Sequence, residues 1–271
     1  MTRDPEGLLG QGEGISRREL LGLMGATAAA SLVGGVSANC APRDGARTAP
    51  GPVSGAASAG DKVPSAPPAC IVRPEQIEGP YFLDGRLERS DIRTDADDPT
   101  GRSLVPGTPL SLVFRVSRVD GAACAPLPGA IVDLWQCDAL GVYSGFRDVN
   151  GLFDTRDRTF LRGYQVTDAG GTARFTTIYP GWYPGRTVHV HFKIRTPAAG
   201  PRAHEHTSQL YFDDALTDRV HAQPPYAQKG RRNRRNDRDG IFRRGGDRLM
   251  LDLTEDGGGY AGTFDIGLEL S

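Results

Sequence analysis

The segment Tyr183-Pro184-Gly185-Arg186-Thr187-Val188-His189-Val190-His191-Phe192 is the most chemically informative stretch of this chain. His189 and His191 alternate inside an apolar, β-branched run. Successive side chains on a strand leave opposite faces, so residues i and i+2 share one. Both imidazoles then project one way, while Val190 and Phe192 project the other. Two imidazoles on one strand face can bind a single metal ion. Tyr183 and Arg186 stand just upstream, within reach of the same place. The chain has five histidines in 271 residues, so a same-face pair beside a tyrosine is not background. The plainer reading is a partly buried pair satisfied by backbone hydrogen bonds.

A metal held by two neutral histidines needs further ligands, and the nearest tyrosines are Tyr143, Tyr179 and Tyr183. Tyr143 follows Trp135-Gln136-Cys137-Asp138-Ala139-Leu140-Gly141-Val142, where the glycine permits a turn that swings the phenol inward. A phenol has a pKa near 10. Only a strongly acidic cation deprotonates it at neutral pH, which favours Fe(III) over Zn(II) or Mg(II). Two phenolates and a hydroxide would neutralise a trivalent ion in a poorly solvated site, as buried charges require.

Strands must position these groups. Pro109 to Val116 and Ala130 to Gln136 read as strands. Leu161 to Thr167 and Thr172 to Ile178 flank Asp168-Ala169-Gly170-Gly171, which reads as a hairpin turn. Val188 to Arg195, Ser208 to Phe212, Arg248 to Leu253 and Tyr260 to Ile266 complete the series. No sustained helical period is evident. The 36 glycines and 20 prolines suit a turn-rich all-β protein. The predicted fold is a β-sandwich of mainly antiparallel strands with long active-site loops.

A formal net charge of -1 gives no reason to expect nucleic acid as a partner. The one charge run, Lys229 to Asp239, reads as a solvated loop because aspartates dilute it. Residues 1–38 read as a twin-arginine signal peptide: Ser16-Arg17-Arg18-Glu19-Leu20-Leu21, then an apolar stretch to Val36 and small residues at Val36-Ser37-Ala38. Export by that route to the periplasm or beyond is expected. Any membrane attachment would run through an uncleaved anchor or a lipid on Cys40. Residues 39–69, rich in Ala, Gly, Pro and Ser, read as a flexible linker. Residues 70–271 form the expected catalytic domain. An oxidising compartment permits disulfides. Four cysteines allow three full pairings. Cys70 and Cys124, both in turn-like Ala/Pro segments at the domain edge, are the expected pair.

The segments resemble the intradiol ring-cleavage dioxygenases, such as protocatechuate 3,4-dioxygenase and catechol 1,2-dioxygenase. The resemblance runs from about Glu78 to Phe212. It rests on Glu78-Gly79-Pro80-Tyr81, on Val132-Asp133-Leu134-Trp135-Gln136 leading to Gly141-Val142-Tyr143, and on Tyr179-Pro180-Gly181-Trp182-Tyr183-Pro184. Arg186-Thr187-Val188-His189-Val190-His191-Phe192 and Thr207-Ser208-Gln209-Leu210-Tyr211-Phe212 complete it. The resemblance implies non-haem Fe(III) held by Tyr143, Tyr183, His189 and His191, with Tyr143 and His189 equatorial and the other two axial. It implies catalytic roles for Tyr183, Arg186 and Gln209: Tyr183 accepts a catechol proton, Arg186 stabilises charge on the bound ring, and Gln209 lies near substrate and dioxygen. The implied reaction splits a small aromatic diol with O2 to a cis,cis-muconate-type diacid. A homodimer is compatible with the sequence. Gly185 stands where many members carry a bulky aromatic, and the segment from Tyr183 to His189 is short, so substrate identity does not carry over.

Other residues read more plainly. His204 and His206 have loop character and are expected at the surface. Tyr179 is an expected pocket wall, and Tyr81 an entrance, core or edge tyrosine. Trp135 and Trp182 are expected to pack, and Cys137 to be a buried thiol or disulfide. The alternative to an exported dioxygenase is an exported, non-catalytic β-sandwich module that binds carbohydrate or protein.

Overall fold

The structure is a computed structural model that describes residues 70–121, 123–148, 153–196 and 204–270. The expected signal peptide, linker and Cys40 lie outside the described residues. Nine strands are described: β1 (Pro109–Asp120), β2 (Ala123–Pro126), β3 (Ile131–Trp135), β4 (Arg162–Val166), β5 (Thr172–Ile178), β6 (His189–Arg195), β7 (Glu205–Tyr211), β8 (Leu253–Asp256) and β9 (Gly259–Glu269). They form two sheets. One runs β2-β1-β9-β8, with β5 also on β1; the other runs β4-β3-β6-β7. Every described ladder is antiparallel except β1 with β9.

The apolar alternation read from the sequence builds the core. Leu110, Leu112, Phe114 and Val116 of β1 are buried, as are Val190, Phe192 and Ile194 of β6. Phe114, Phe192 and Phe264 meet between the sheets, with ring centroids 5.4 to 5.9 Å apart. The opposite face of β6 carries His189, His191 and Lys193. It too is buried, so that face is covered and can hold a water-poor site.

Three local expectations are corrected. The Asp168–Gly171 turn does not join a hairpin: β4 and β5 lie in different sheets, and the turn carries the chain between them. Arg248 to Leu253 is mostly not strand. A 3-10 turn covers Gly246–Leu249, and β8 begins only at Leu253. A helix the periodicity did not reveal, α1 (Asp214–His221), follows β7. Asp213 caps it by accepting from the Leu216 N–H at 2.8 Å. Eight residues give too short a window for a 3.6-residue period to emerge. Cys70 and Cys124 are disulfide-bonded, as expected, and Cys137 is a buried free thiol.

Candidate active site

The register of β3, β6 and β7 sets the site. His191 pairs across the sheet with Trp135 on one side and Gln209 on the other, and His189 pairs with Tyr211. Directly opposed residues share a face, so these side chains form one patch on the sheet. The Trp135 indole stacks on the His191 ring at 5.0 Å and an interplanar angle of 9°. Trp135 is therefore packing, as expected, but packing against a site residue.

Two loops bring in the phenols, and each is locked to the other. Asp138 Oδ1 accepts from the Leu140 and Val142 N–H groups, which tightens the turn before Tyr143. Gly141 adopts φ +79°, and a Cβ there would lie 2.1 Å from the Trp182 carbonyl oxygen. A Cβ on Gly181 would lie 2.4 Å from the Asp138 carbonyl oxygen. Only glycine permits this approach of backbone to backbone. The inward swing of Tyr143 is borne out: it is buried, and its ring meets that of Tyr183 edge-on at 5.7 Å.

The expected ligands therefore converge. His189 Nε2 lies 3.0 Å from His191 Nε2 and 3.1 Å from Tyr183 Oη. His189 Nδ1 is 2.6 Å from the Thr187 carbonyl oxygen. A carbonyl only accepts, so Nδ1 carries the proton and Nε2 presents its lone pair to the site. Tyr143 Oη is buried, makes no hydrogen bond of ordinary length and has the Tyr183 hydroxyl as a neighbour.

Burial governs the electrostatics. It pushes both phenols up, and Tyr183 adds to the rise at Tyr143. It lowers His189 to about 3, with Arg186 adding to the effect, and it holds His191 well below its ordinary value, with His189 and Arg186 contributing. Both imidazoles are neutral at pH 7, as ligands must be. These residues fit a metal. Separations of 3.0 and 3.1 Å are those of neighbouring donors sharing one cation about 2.1 Å from each. The orphaned phenol supplies an unused buried oxygen. Among the described residues no group of three or more His, Cys, Asp or Glu side chains could hold a metal, and the phenols are the further side-chain donors beside the two imidazoles.

Arg186 and Gln209 are both in place. Arg186 Nη2 donates to Gln209 Oε1 at 2.5 Å, and Nη1 stands 3.3 Å from His189 Nε2. Gln209 Nε2 donates to the Ile77 carbonyl at 2.9 Å. That bond ties the Glu78-Gly79-Pro80-Tyr81 segment across the site. Gly79, at φ +76°, passes over the His191 ring, where a Cβ would lie 3.3 Å from Cε1. Tyr81 stacks on Tyr143 at 4.2 Å and lies at the site edge.

Other expectations fare differently. Tyr179 lines no part of this site: it packs on Phe212, and its Oη shares a 2.7 Å hydrogen bond with Thr217 Oγ1. His206 is not a surface residue. It lies buried on β7, opposite Ile194 and beside Phe192, on the face away from His189 and His191. The Lys229 to Asp239 run is not wholly solvated either, since Asn236 and Asp239 are buried and Asp239 binds Arg186 at 2.9 Å. Sequence reading missed Asp239, Tyr211 and the contact of Trp135. Tyr211 was findable, because it lies two residues from Gln209 and shares its strand face. Nothing in the charge run marked Asp239.

Residues 77–232 match the family model described as Dioxygenase. The chain is 31% identical over 181 residues to the protocatechuate 3,4-dioxygenase beta chain of Burkholderia cepacia, covering 62% of this chain and 69% of that protein. It is 30% identical over 152 residues to a chlorocatechol 1,2-dioxygenase of Pseudomonas sp. (strain P51), covering 51% of this chain and 54% of that one. The chain thus spans about half the length of the chlorocatechol enzymes it matches. An intradiol ring-cleavage dioxygenase from Tetranychus urticae superimposes with a TM-score of 0.60 at 34% identity, covering 74% of this chain and 94% of that one. The two-sheet β fold agrees with that of the solved relative. The chain belongs to the intradiol ring-cleavage dioxygenase family.

Proposed function

We propose that this protein is an exported, Fe(III)-dependent enzyme that cleaves a catechol-type ring with O2 to a cis,cis-muconate-type diacid. The observation that carries the reading is the convergence of Tyr143, Tyr183, His189 and His191 beside Arg186 on a buried sheet face. In the proposed reaction the ring bond between the two hydroxyl-bearing carbons breaks, and both atoms of O2 enter the product. Fe(III), when bound, would supply Lewis acidity that draws electron density from the diol oxygens, so that no external reductant would be needed.

The chain's own residues do the rest. Tyr143, Tyr183, His189 and His191 would hold the ion. Burial makes the Tyr183 phenol hold its proton tightly. Its phenolate is correspondingly a strong base, suited to taking a catechol proton at Oη. Arg186 Nη1 is aimed at the space between the ligands, where it stabilises negative charge on the bound ring. Trp135, Tyr81 and the Gly79 backbone exclude water. The Cys70–Cys124 disulfide supports an oxidising compartment, in keeping with the twin-arginine segment. A non-catalytic binding module has no use for two phenols converging on two imidazoles.

The test is oxygen uptake by iron-loaded protein on catechol, hydroxyquinol, protocatechuate and chlorinated or alkylated catechols, with iron content and the visible spectrum recorded. A coloured, iron-containing protein that consumes O2 on at least one diol is expected. Tyr183→Phe should shift the visible band and slow turnover severely. A colourless protein that takes up no iron would defeat the reading.

A further inference from the structure

Asp239 lies deep in the protein, at 1% exposure, at the end of the charge run. Its carboxylate is surrounded by donors. Oδ2 accepts from Arg186 Nε at 2.9 Å and from the Thr187 N–H at 2.7 Å. Oδ1 accepts from the N–H groups of Ile241 and Phe242 at 2.7 and 3.1 Å. All four partners donate, and none accepts. A carboxylate is acceptor-only, whereas an amide of the same shape presents one donor face. The position therefore requires a carboxylate rather than a polar group of that size.

The consequence falls on Arg186. A guanidinium is a rigid planar fork, so two bonds to it fix both its plane and its direction. Asp239 holds Nε, and Gln209 holds Nη2. The remaining corner, Nη1, is left facing His189 Nε2. Asp239 also anchors Thr187, whose carbonyl sets the His189 ring, though Asn236 Oδ1 holds Thr187 independently through its hydroxyl at 2.6 Å. The anchoring of the histidine strand is thus shared, while the Nε hold on the guanidinium is not.

We propose that Asp239 is the positioning residue for this site: it aims Arg186 Nη1 at the ring-binding space. The segment from 229 to 242 is then a largely exposed loop that lends the active site one buried carboxylate. This rests on the role of Arg186 in the proposed function.

The test is a double-mutant cycle of Asp239→Asn, Arg186→Ala and the pair in iron-loaded full-length protein. Iron per chain, kcat, KM, and the affinity for a catechol added without oxygen are read for each. A misplacement of about 1 Å can cost about 10²-fold in rate. The expected result is therefore iron retained and a fall in kcat of about 100-fold for Asp239→Asn. KM and anaerobic catechol affinity should change little. The paired variant should be no slower than Arg186→Ala alone, because residues acting through one another are not additive. Losses that multiply would overturn the proposal, as would a wild-type kcat. A folded Asp239→Asn protein that has lost its iron would overturn it too, since Asp239 would then serve the ligand strand. Should Asp239→Asn not fold, Asp239→Glu keeps the charge and displaces it, and is read in the same cycle. Wild-type protein that binds no iron or consumes no oxygen would instead refute the proposed function.

Discussion

Removing one oxygen atom from Tyr143 should stabilise the metal-free protein. Tyr143 is buried at 1% exposure, and its Oη makes no hydrogen bond of ordinary length, its one polar neighbour of note being the Tyr183 hydroxyl. A buried hydroxyl without a partner costs about 1–3 kcal/mol, the unrecovered cost of leaving water. Tyr143→Phe deletes that cost and leaves the ring, with its stacking on Tyr81, intact. Tyr179 provides the control. It is equally buried, but its hydroxyl shares a 2.7 Å bond with Thr217. Tyr179→Phe should therefore destabilise by about 1 kcal/mol or somewhat more. The same deletion at two buried tyrosines thus carries opposite signs. Denaturant unfolding of chelator-stripped protein measures both, and a gain of this size also raises Tm by several degrees. Iron uptake should move the other way, with Tyr143→Phe binding iron far more weakly than wild type. A metal-free Tyr143→Phe protein less stable than wild type would refute the reasoning, because the hydroxyl would then be satisfied by the protein itself.

Three further outcomes follow from the same geometry. Gly141→Ala must move the Trp182 carbonyl, 2.1 Å from the new Cβ, so iron content should fall while the far-ultraviolet circular dichroism of the sheets is kept; unchanged iron content would count against the locked loops. His189 falls to about 3 and His191 lies well below its ordinary value, so the folded state binds fewer protons than the unfolded chain below about pH 6.5. Metal-free stability should then be full above that pH and be lost as pH falls toward 3, by up to about 1.4 kcal/mol per pH unit for each ring; a His189→Leu variant with the same slope would contradict this. Reducing Cys70–Cys124, which closes a separation of 54 residues, should cost up to about 4 kcal/mol, and a denaturation midpoint indifferent to reductant would disprove that role.

Most of the fold was legible because its strands are amphipathic or buried over several residues. Val190, Phe192 and Ile194 announce one face of β6, and the intervening histidines announce the other. Gly141 marked the turn before Tyr143, while the choice of Tyr143 and Tyr183 over Tyr179 came from the family resemblance. What escaped was non-local. The crossing of the chain at Asp168–Gly171 depends on which sheet β5 joins, and a turn sequence does not encode that. Arg248 to Leu253 carries apolar residues, but Gly245 at φ +96° starts a 3-10 turn that delays the strand. Asp239 sits among arginines that look solvated, yet its partner Arg186 lies 53 residues earlier. Charge composition predicts exposure on average and fails where one carboxylate finds several donors in a buried niche.

Under the proposed function, a phenol rather than a carboxylate as anionic ligand suits that burial. Both tyrosines hold their protons more tightly here than in water, and both site histidines are neutral. The metal-free site therefore carries no buried anion and needs no countercharge. Arg186 beside it is already matched by Asp239, and the Arg162 guanidinium stands 6.0 Å from the centroid of the Tyr143 ring. A pair of carboxylates in the same place would be charged or strongly strained without metal. Phenols let the pocket assemble neutral and become anionic only when a strongly polarising cation displaces their protons. That property discriminates among metals, because a weakly acidic divalent ion cannot repay two deprotonations against burial. It also suits Tyr183 to the base role proposed for it, since the burial that resists ionisation would make its phenolate oxygen a strong proton acceptor.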